Sequence, residues 1–287
     1  MRAEQLTEPC TSHGEGPSWD APRDRLLLVD MLAGDVLAVR PDDVGGASVE
    51  RHHLASVAAA LRARRSGGFV LATEDRFLLL DDDLAVEREL PPVFADPTLR
   101  FNDGGCDPLG AFLVGTMAYD ETPGRGTLYR LDPDGRVSVV RTGATISNGV
   151  QWTCDGRSAL YVDTPTAKVQ RFAVDPATGA WSDGRTFAEV DGPGLPDGMA
   201  IDEGDGVWVA LWGGGQVRRW TADGRLDRVV ELPVTQVTAC TFGGPDLSTL
   251  FITTSRQGVP DGEQPEAGAV FTHDAGIRGA VPHAYAG

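Results

Sequence analysis

Five oxygen-bearing side chains of this 287-residue chain recur in one local setting. Glu15 precedes Gly16, Asn102 and Asp103 precede Gly104, Asn148 precedes Gly149, and Asp197 precedes Gly198. Each opens a phrase of short apolar runs separated by turns. Three carboxylates and two carboxamides, gathered without Cys or His, suit a hard or borderline divalent cation such as Ca²⁺, Mg²⁺ or Mn²⁺. Without a cation, converging carboxylates repel one another and their pKa values rise. A single such residue could serve only an Asx-turn at a strand start; four groups sharing one place argue for a site. The composition points the same way. Asn102 and Asn148 are the only asparagines, in a chain whose only lysine is Lys168.

The elements that must position these groups follow from the phrase itself. Ile146 to Asp163 contains two β-rich runs, Val150 to Trp152 and Leu160 to Val162, around an Asp155-Gly156 turn, which reads as a hairpin. Related phrases begin near residues 15, 58, 102, 148, 197 and 238, a period of about 40–50 residues with roughly four short strands each. The fold expected is all-β: a six-bladed propeller of four-stranded antiparallel blades around a central channel, with residues 1–287 forming a single domain. A sandwich would not explain the period. In a propeller all innermost strands start at the same end of the channel, so the repeat carries Glu15, Asn102, Asp103, Asn148 and Asp197 to one mouth. The second and sixth phrases offer small residues there, Ala58 to Ala60 and Thr238-Ala239, which leaves one side open.

Composition narrows the classes of partner. The net charge of −17 argues against nucleic acid or an anionic membrane, and nothing indicates an obligatory protein partner. Met1 to Pro9 has no apolar signal-peptide core, and no run reaches membrane-spanning length, so a cytoplasmic protein is expected. Cys10, Cys106, Cys154 and Cys240 form no C-x-x-C pair, which argues against zinc clusters and redox motifs. Ser18 lies outside any G-x-S-x-G elbow, and the five histidines form no H-E-x-x-H. His13, two residues from Glu15, is expected at the surface, and Trp212 in blade packing.

Six short motifs carry a resemblance: Gly-Glu-Gly-Pro (14–17), Arg-Phe-Asn-Asp-Gly (100–104), Gly-Thr-Met-Ala (115–118), Ile-Ser-Asn-Gly (146–149), Pro-Asp-Gly-Met (196–199) and Phe-Gly-Gly (242–244). Together they resemble the SMP-30/gluconolactonase family, also known as the regucalcin or luciferin-regenerating-enzyme-like family, from about Gly14 to the C-terminus. The resemblance implies metal ligands at Glu15, Asn148 and Asp197 and substrate contacts at Arg100 and Asn102. A further contact with sugar hydroxyls falls on Asp120, with Tyr119 and Glu121 as neighbours that could take its place. Asp202 is expected to support its blade.

The same resemblance implies a metal-dependent lactonase that opens a gluconolactone-, xylonolactone- or arabinonolactone-type sugar lactone to the aldonic acid. The cofactor would be one divalent ion, Ca²⁺ first, with Zn²⁺, Mn²⁺, Mg²⁺ or Fe²⁺ as alternatives. The cation would polarise the carbonyl and acidify water, Arg100 and Asn102 would orient the ring, and Asp197 would act as general base. Two other outcomes suit the scaffold: a phosphotriesterase-like or non-sugar lactone hydrolase, and a calcium-binding propeller without turnover. Substrate choice is expected from Ala58 to Ala60, the Asp120 loop and the Val259 to Glu266 loop.

Overall fold

The computed structural model describes residues 1–42 and 45–287. Its strands form six four-stranded antiparallel sheets, with no α-helix among the described residues. Five sheets are built from consecutive strands. Their innermost strands are Gly14–Asp20, Ala60–Ala63, Leu99–Cys106, Ser147–Trp152 and Leu195–Ile201, and the sixth blade contributes Val237–Gly243. Each innermost strand contacts the next, and the sixth returns to the first. The expected six-bladed propeller is what the chain forms.

Closure of the ring uses a strand that the repeat pattern did not contain. The sixth blade supplies Val237–Gly243, Thr249–Thr254 and Phe271–Asp274, and its outer strand is Glu4–Gln5 from the chain's beginning. Both of those residues are polar and exposed, so no apolar alternation marks them. Joining the first residues to the last blade ties the ring shut through backbone bonds. Apolar side chains fill the spaces between blades. Leu27, Val29 and Val36 pack with Phe69, Leu71 and Phe112, while Trp208, Val217 and Val230 pack with Phe242, Ile252 and Phe271. Burial of such side chains stabilises by about 1.5–3 kcal/mol each.

Five of the six innermost strands share a defect: in the sixth blade it falls between Val237 and Ala239, and in four others it lies at the polar residues before glycine. Between Glu15 and Ser18, Phe101 and Gly104, Ser147 and Val150, and Pro196 and Met199, the pairing register with the neighbouring strand shifts. These are β-bulges, which re-aim side chains and sharpen twist. The bulged pairs are Gly16-Pro17, Asn102-Asp103, Asn148-Gly149 and Asp197-Gly198. The recurring polar-Gly signature is therefore a bulge signature, and the glycines have a packing reason. A Cβ on Gly149 would stand 2.7 Å from the Asp197 carbonyl oxygen, and one on Gly198 would stand 2.5 Å from Ala239 Cβ. Adjacent innermost strands approach too closely here for a side chain.

Candidate active site

Alternation along a strand places residues i and i+2 on one face, which gives every blade but the second two positions at the channel mouth. The deeper positions hold Glu15, Asn102, Asn148, Asp197 and Thr238. The shallower positions, two residues earlier, hold His13, Arg100, Ile146, Leu195 and Gln236. One cavity of about 420 Å³ is lined by all five shallower residues and by the first four deeper ones, together with Leu32, Met117, Tyr119, Glu121, Thr164, Trp212, Gln257 and Gly258.

Carboxylates at the ends of second strands fix the starts of two innermost strands. Asp30 accepts hydrogen bonds from the backbone N–H groups of Ser12 and His13, at 3.0 and 2.9 Å. Asp163 does the same for Thr145 and Ile146, both at 3.0 Å. The shallower residues are also tied across blades. Met117 bridges to Ile146, Trp212 to Gln236, and Ser255 to His13. The rim is held by main-chain bonds, so its side chains are pre-positioned.

The deeper residues form a charged and underbonded cluster. Glu15 is buried, and its carboxylate meets the Gly16 N–H at 3.1 Å. Burial, then the negative charge of Asp103, pushes Glu15 up to about 8, although Gly16, Arg100 and Arg62 pull the other way. Burial and the charges of Glu15 and Asp103 likewise hold Asp197 well above the usual carboxylate range, against the opposing pull of Asn148 and the Gly198 N–H. Asn148 Nδ2 donates to Thr164 Oγ1 at 3.1 Å. Asn148 Oδ1 and Asp197 Oδ1 are buried and have no hydrogen-bond partner among the described residues. Buried oxygens are almost always satisfied. Two unsatisfied ones beside a carboxyl of raised pKa fit a divalent cation bound through oxygen, as the donor types require.

Arg100 and Asn102 stand beside this cluster, locked to each other. Arg100 Nη1 donates to Asn102 Oδ1 at 2.7 Å and to the Phe101 carbonyl at 3.0 Å, and Asn102 Nδ2 donates to the Ser147 carbonyl at 3.1 Å. The guanidinium lies 5.8 Å from the Tyr119 ring centre. Burial lowers the Arg100 pKa against the charges of Tyr119, Glu15, Glu121 and Asp197. Tyr119 in turn donates to Glu74 at 2.6 Å, and burial with that bond pushes its phenol up to about 12.

The structure brings together Glu15, Asn148, Asp197, Arg100 and Asn102, and it places other sequence expectations elsewhere. Asp120 does not line the cavity. Its carboxylate is exposed and caps its own loop through the Thr122 N–H at 3.0 Å, while its neighbours Tyr119 and Glu121 reach the cavity. The three residues lie in the turn just beyond the strand Phe112–Ala118, where Glu121 takes a left-handed conformation (φ 56°). Asp103, second in its bulge, turns toward the farther half of the channel. There it lines a separate cavity of about 510 Å³, with Arg62 3.6 Å away. Ala58 to Ala60 are buried and line neither cavity. From the last long loop it is Gln257 and Gly258 that reach the mouth, not Val259 to Glu266.

His13 and Trp212 correct the sequence reading. His13 is buried and lines the cavity, its Nδ1 lies 2.8 Å from Ser255 Oγ, and its ring meets Trp212 edge-on at 5.8 Å. Burial, then the Arg100 charge, lowers its pKa to about 4, so the ring is neutral near pH 7. The signal was present: His13 and Glu15 are two apart on one strand and must share a face. Gln236, missed altogether, holds the same relation to Thr238.

Comparison with known proteins places this chain in a family. Residues 13–256 match the family described as the SMP-30/gluconolactonase/LRE-like region. The chain belongs to that family. Among its relatives, the putative sugar lactone lactonase YvrE of Bacillus subtilis (strain 168) is 34% identical over 281 residues, covering 96% of this chain and 95% of the relative. Regucalcin of Homo sapiens is 35% identical over 294 residues, covering 98% and 97%. A luciferin-regenerating enzyme superposes with a TM-score of 0.90 at 27% identity over 99% of both chains. Regucalcin from Agrobacterium tumefaciens str. C58, a calcium-binding protein, gives 0.88 at 27% identity over 99% of this chain and 96% of its own.

Proposed function

We propose that this family member hydrolyses a sugar lactone to its aldonic acid with the help of one divalent cation held by Glu15, Asn148 and Asp197. The observation that carries this reading is the pair of buried, unpartnered oxygens, Asn148 Oδ1 and Asp197 Oδ1, beside Glu15 and next to the locked Arg100–Asn102 pair. The similarity to a putative sugar lactone lactonase supports the choice of substrate class. Similarity to a calcium-binding relative supports a cation, with Ca²⁺ first in order.

A cation in this cluster supplies Lewis acidity to the ester carbonyl and lowers the pKa of water. The remaining work falls to the chain. Arg100 spends Nη1 on Asn102 and the Phe101 carbonyl and keeps further N–H donors for the lactone oxygens, where its positive charge favours developing negative charge. Asn102 holds that guanidinium in place, so the ester is oriented without new ordering cost. Asp197, through the carboxylate oxygen it does not give to the cation, takes the proton of the attacking water. Glu121 and Tyr119, in place of Asp120, face the substrate hydroxyls from the third blade.

The test is turnover of a lactone panel by Asp197→Asn and by Arg100→Lys. The account expects Asp197→Asn to lose both cation binding and activity. Arg100→Lys should keep cation binding and lose at least about tenfold in kcat/KM, because a point charge cannot hold the bonds of the guanidinium fork. Wild-type turnover in Asp197→Asn would overturn the scheme.

A further inference from the structure

The shallow positions of the mouth are unequal around the ring. Arg100, His13 and Gln236 are polar, on blades three, one and six, whereas Ile146 and Leu195 are apolar, on blades four and five. Blade six lies across the ring from blade three. The wall opposite Arg100 is therefore formed by Gln236, His13 and the adjacent Gln257, with the Trp212 ring at its end.

This wall is built by continuous main-chain bonding. Trp212 bridges to Gln236, the Ser255 N–H donates to the Gln236 carbonyl at 2.9 Å, and Ser255 bridges to His13. Ser255 Oγ engages His13 Nδ1 at 2.8 Å and accepts the Gln257 N–H at 2.9 Å. With Nδ1 committed, Nε2 is the ring nitrogen left for a ligand. Gln236 Oε1 is buried with no partner among the described residues. A buried amide oxygen without a partner calls for a donor, Gln236 lines the cavity, and the repeat gives it the position that Arg100 occupies on the third blade.

We infer that Gln236, with His13 and Gln257, forms a second polyol-binding subsite that receives the exocyclic hydroxyl of a six-carbon lactone while Arg100 and Asn102 hold the ring. The inference rests on the lactonase reading and adds the substrate's size and orientation. The hydroxymethyl group, borne by the ring carbon on the other side of the ring oxygen from the carbonyl, donates to Gln236 Oε1 and accepts from the Gln257 amide. The carbon face of the ring lies against Trp212, Ile146 and Leu195. A cavity of about 420 Å³ has room for a ring and its substituent. A competing occupant of the same space is an alkyl chain against Leu32 and Leu195, which are both exposed at the mouth.

The experiment compares kcat/KM for three δ-lactones: a six-carbon aldonolactone with its hydroxymethyl group, the five-carbon counterpart without it, and an alkyl-tailed lactone. The proteins are metal-loaded wild type, Gln236→Leu and Gln257→Leu. Sorbitol and xylitol binding to the same proteins is measured by calorimetry. The wall is held by backbone bonds and by Ser255 rather than by the two glutamine side chains, so the fold survives their replacement. Wild type is expected to prefer the six-carbon aldonolactone. Gln236→Leu should cut that preference about fivefold to tenfold, the worth of one hydrogen bond, and should weaken sorbitol binding more than xylitol binding. An unchanged preference in both variants, or a wild-type preference for the alkyl-tailed lactone, overturns the inference. If no lactone is hydrolysed, the lactonase reading fails, and the calorimetry still decides the subsite: selective loss of sorbitol binding supports it, and no sorbitol binding overturns it.

Discussion

Replacing Glu15 by Gln should stabilise the metal-free protein and abolish the stabilisation that metal gives. The cause is the cost of holding a carboxyl in this cluster. Burial and Asp103 raise Glu15 from its ordinary 4.5 to about 8. A raised carboxyl pKa means that the folded chain binds the proton more tightly than the unfolded chain. Stability is therefore fully present below pH 4.5 and falls as pH rises toward 8. At neutral pH the loss is about 3 kcal/mol, and a glutamine there removes that dependence. Because the amide must bury an N–H₂ group in return, this figure is an upper bound. At about 2–4 °C per kcal/mol for a chain of this size, the metal-free Glu15→Gln variant should melt up to about 12 °C above wild type. With cation at about a hundred times its Kd, wild type gains about 2.7 kcal/mol, the variant gains nothing, and their order closes or reverses. The assay is thermal unfolding in chelator across the pH range of about 5–8.5, repeated with Ca²⁺. The gap between the proteins should widen with pH. A metal-free Glu15→Gln variant that melts below wild type at the alkaline end would refute the reasoning.

Three further outcomes concern the scaffold. Asp202 accepts bonds from Trp208 Nε1 at 2.9 Å, Arg219 Nε at 2.7 Å and the Gly206 N–H at 2.9 Å. Asp202→Ala should therefore cost about 3–5 kcal/mol by leaving Arg219 and Trp208 unpaired, measured by denaturant unfolding. Burial raises the Asp202 pKa, but Arg219, Trp208 and Gly206 outweigh it and leave it below the ordinary 3.8. Its stabilisation is thus complete above pH 3.8 and is lost only as pH falls through the lower folded value; acid titration of wild type against Asp202→Asn reads the difference. Gly198→Ala forces a Cβ to 2.5 Å from Ala239 Cβ and should cost about 1–3 kcal/mol in thermal unfolding, with weakened cation binding because Asp197 shares the bulge.

The propeller and its deeper ring of residues were legible because both are written in the repeat. A polar residue before Gly at about the same phase of each phrase marks a bulge, and bulges put Asn102, Asn148 and Asp197 into the channel. What stayed hidden lacks that mark. Glu4–Gln5 closes the sixth blade through backbone bonds alone, with no apolar pattern to announce it. Asp120 lies in a turn beyond its strand, where no alternation fixes which side chain faces inward, and there Tyr119 and Glu121 line the cavity instead. Asp103 shares a bulge with Asn102 yet turns to the other half of the channel, where Arg62 meets it. His13 and Gln236 were readable only once each strand was seen to carry two channel-facing positions rather than one.

The most direct test of the central claim is lactone hydrolysis by metal-stripped protein, with Ca²⁺, Mn²⁺, Mg²⁺, Zn²⁺ or Fe²⁺ added back and spontaneous ring opening subtracted. The account predicts no enzymatic rate in chelator and restored turnover of at least one sugar lactone with a divalent ion, absent in Asp197→Asn. Full turnover in chelator, or tight cation binding with no lactone turned over by any ion, would contradict it.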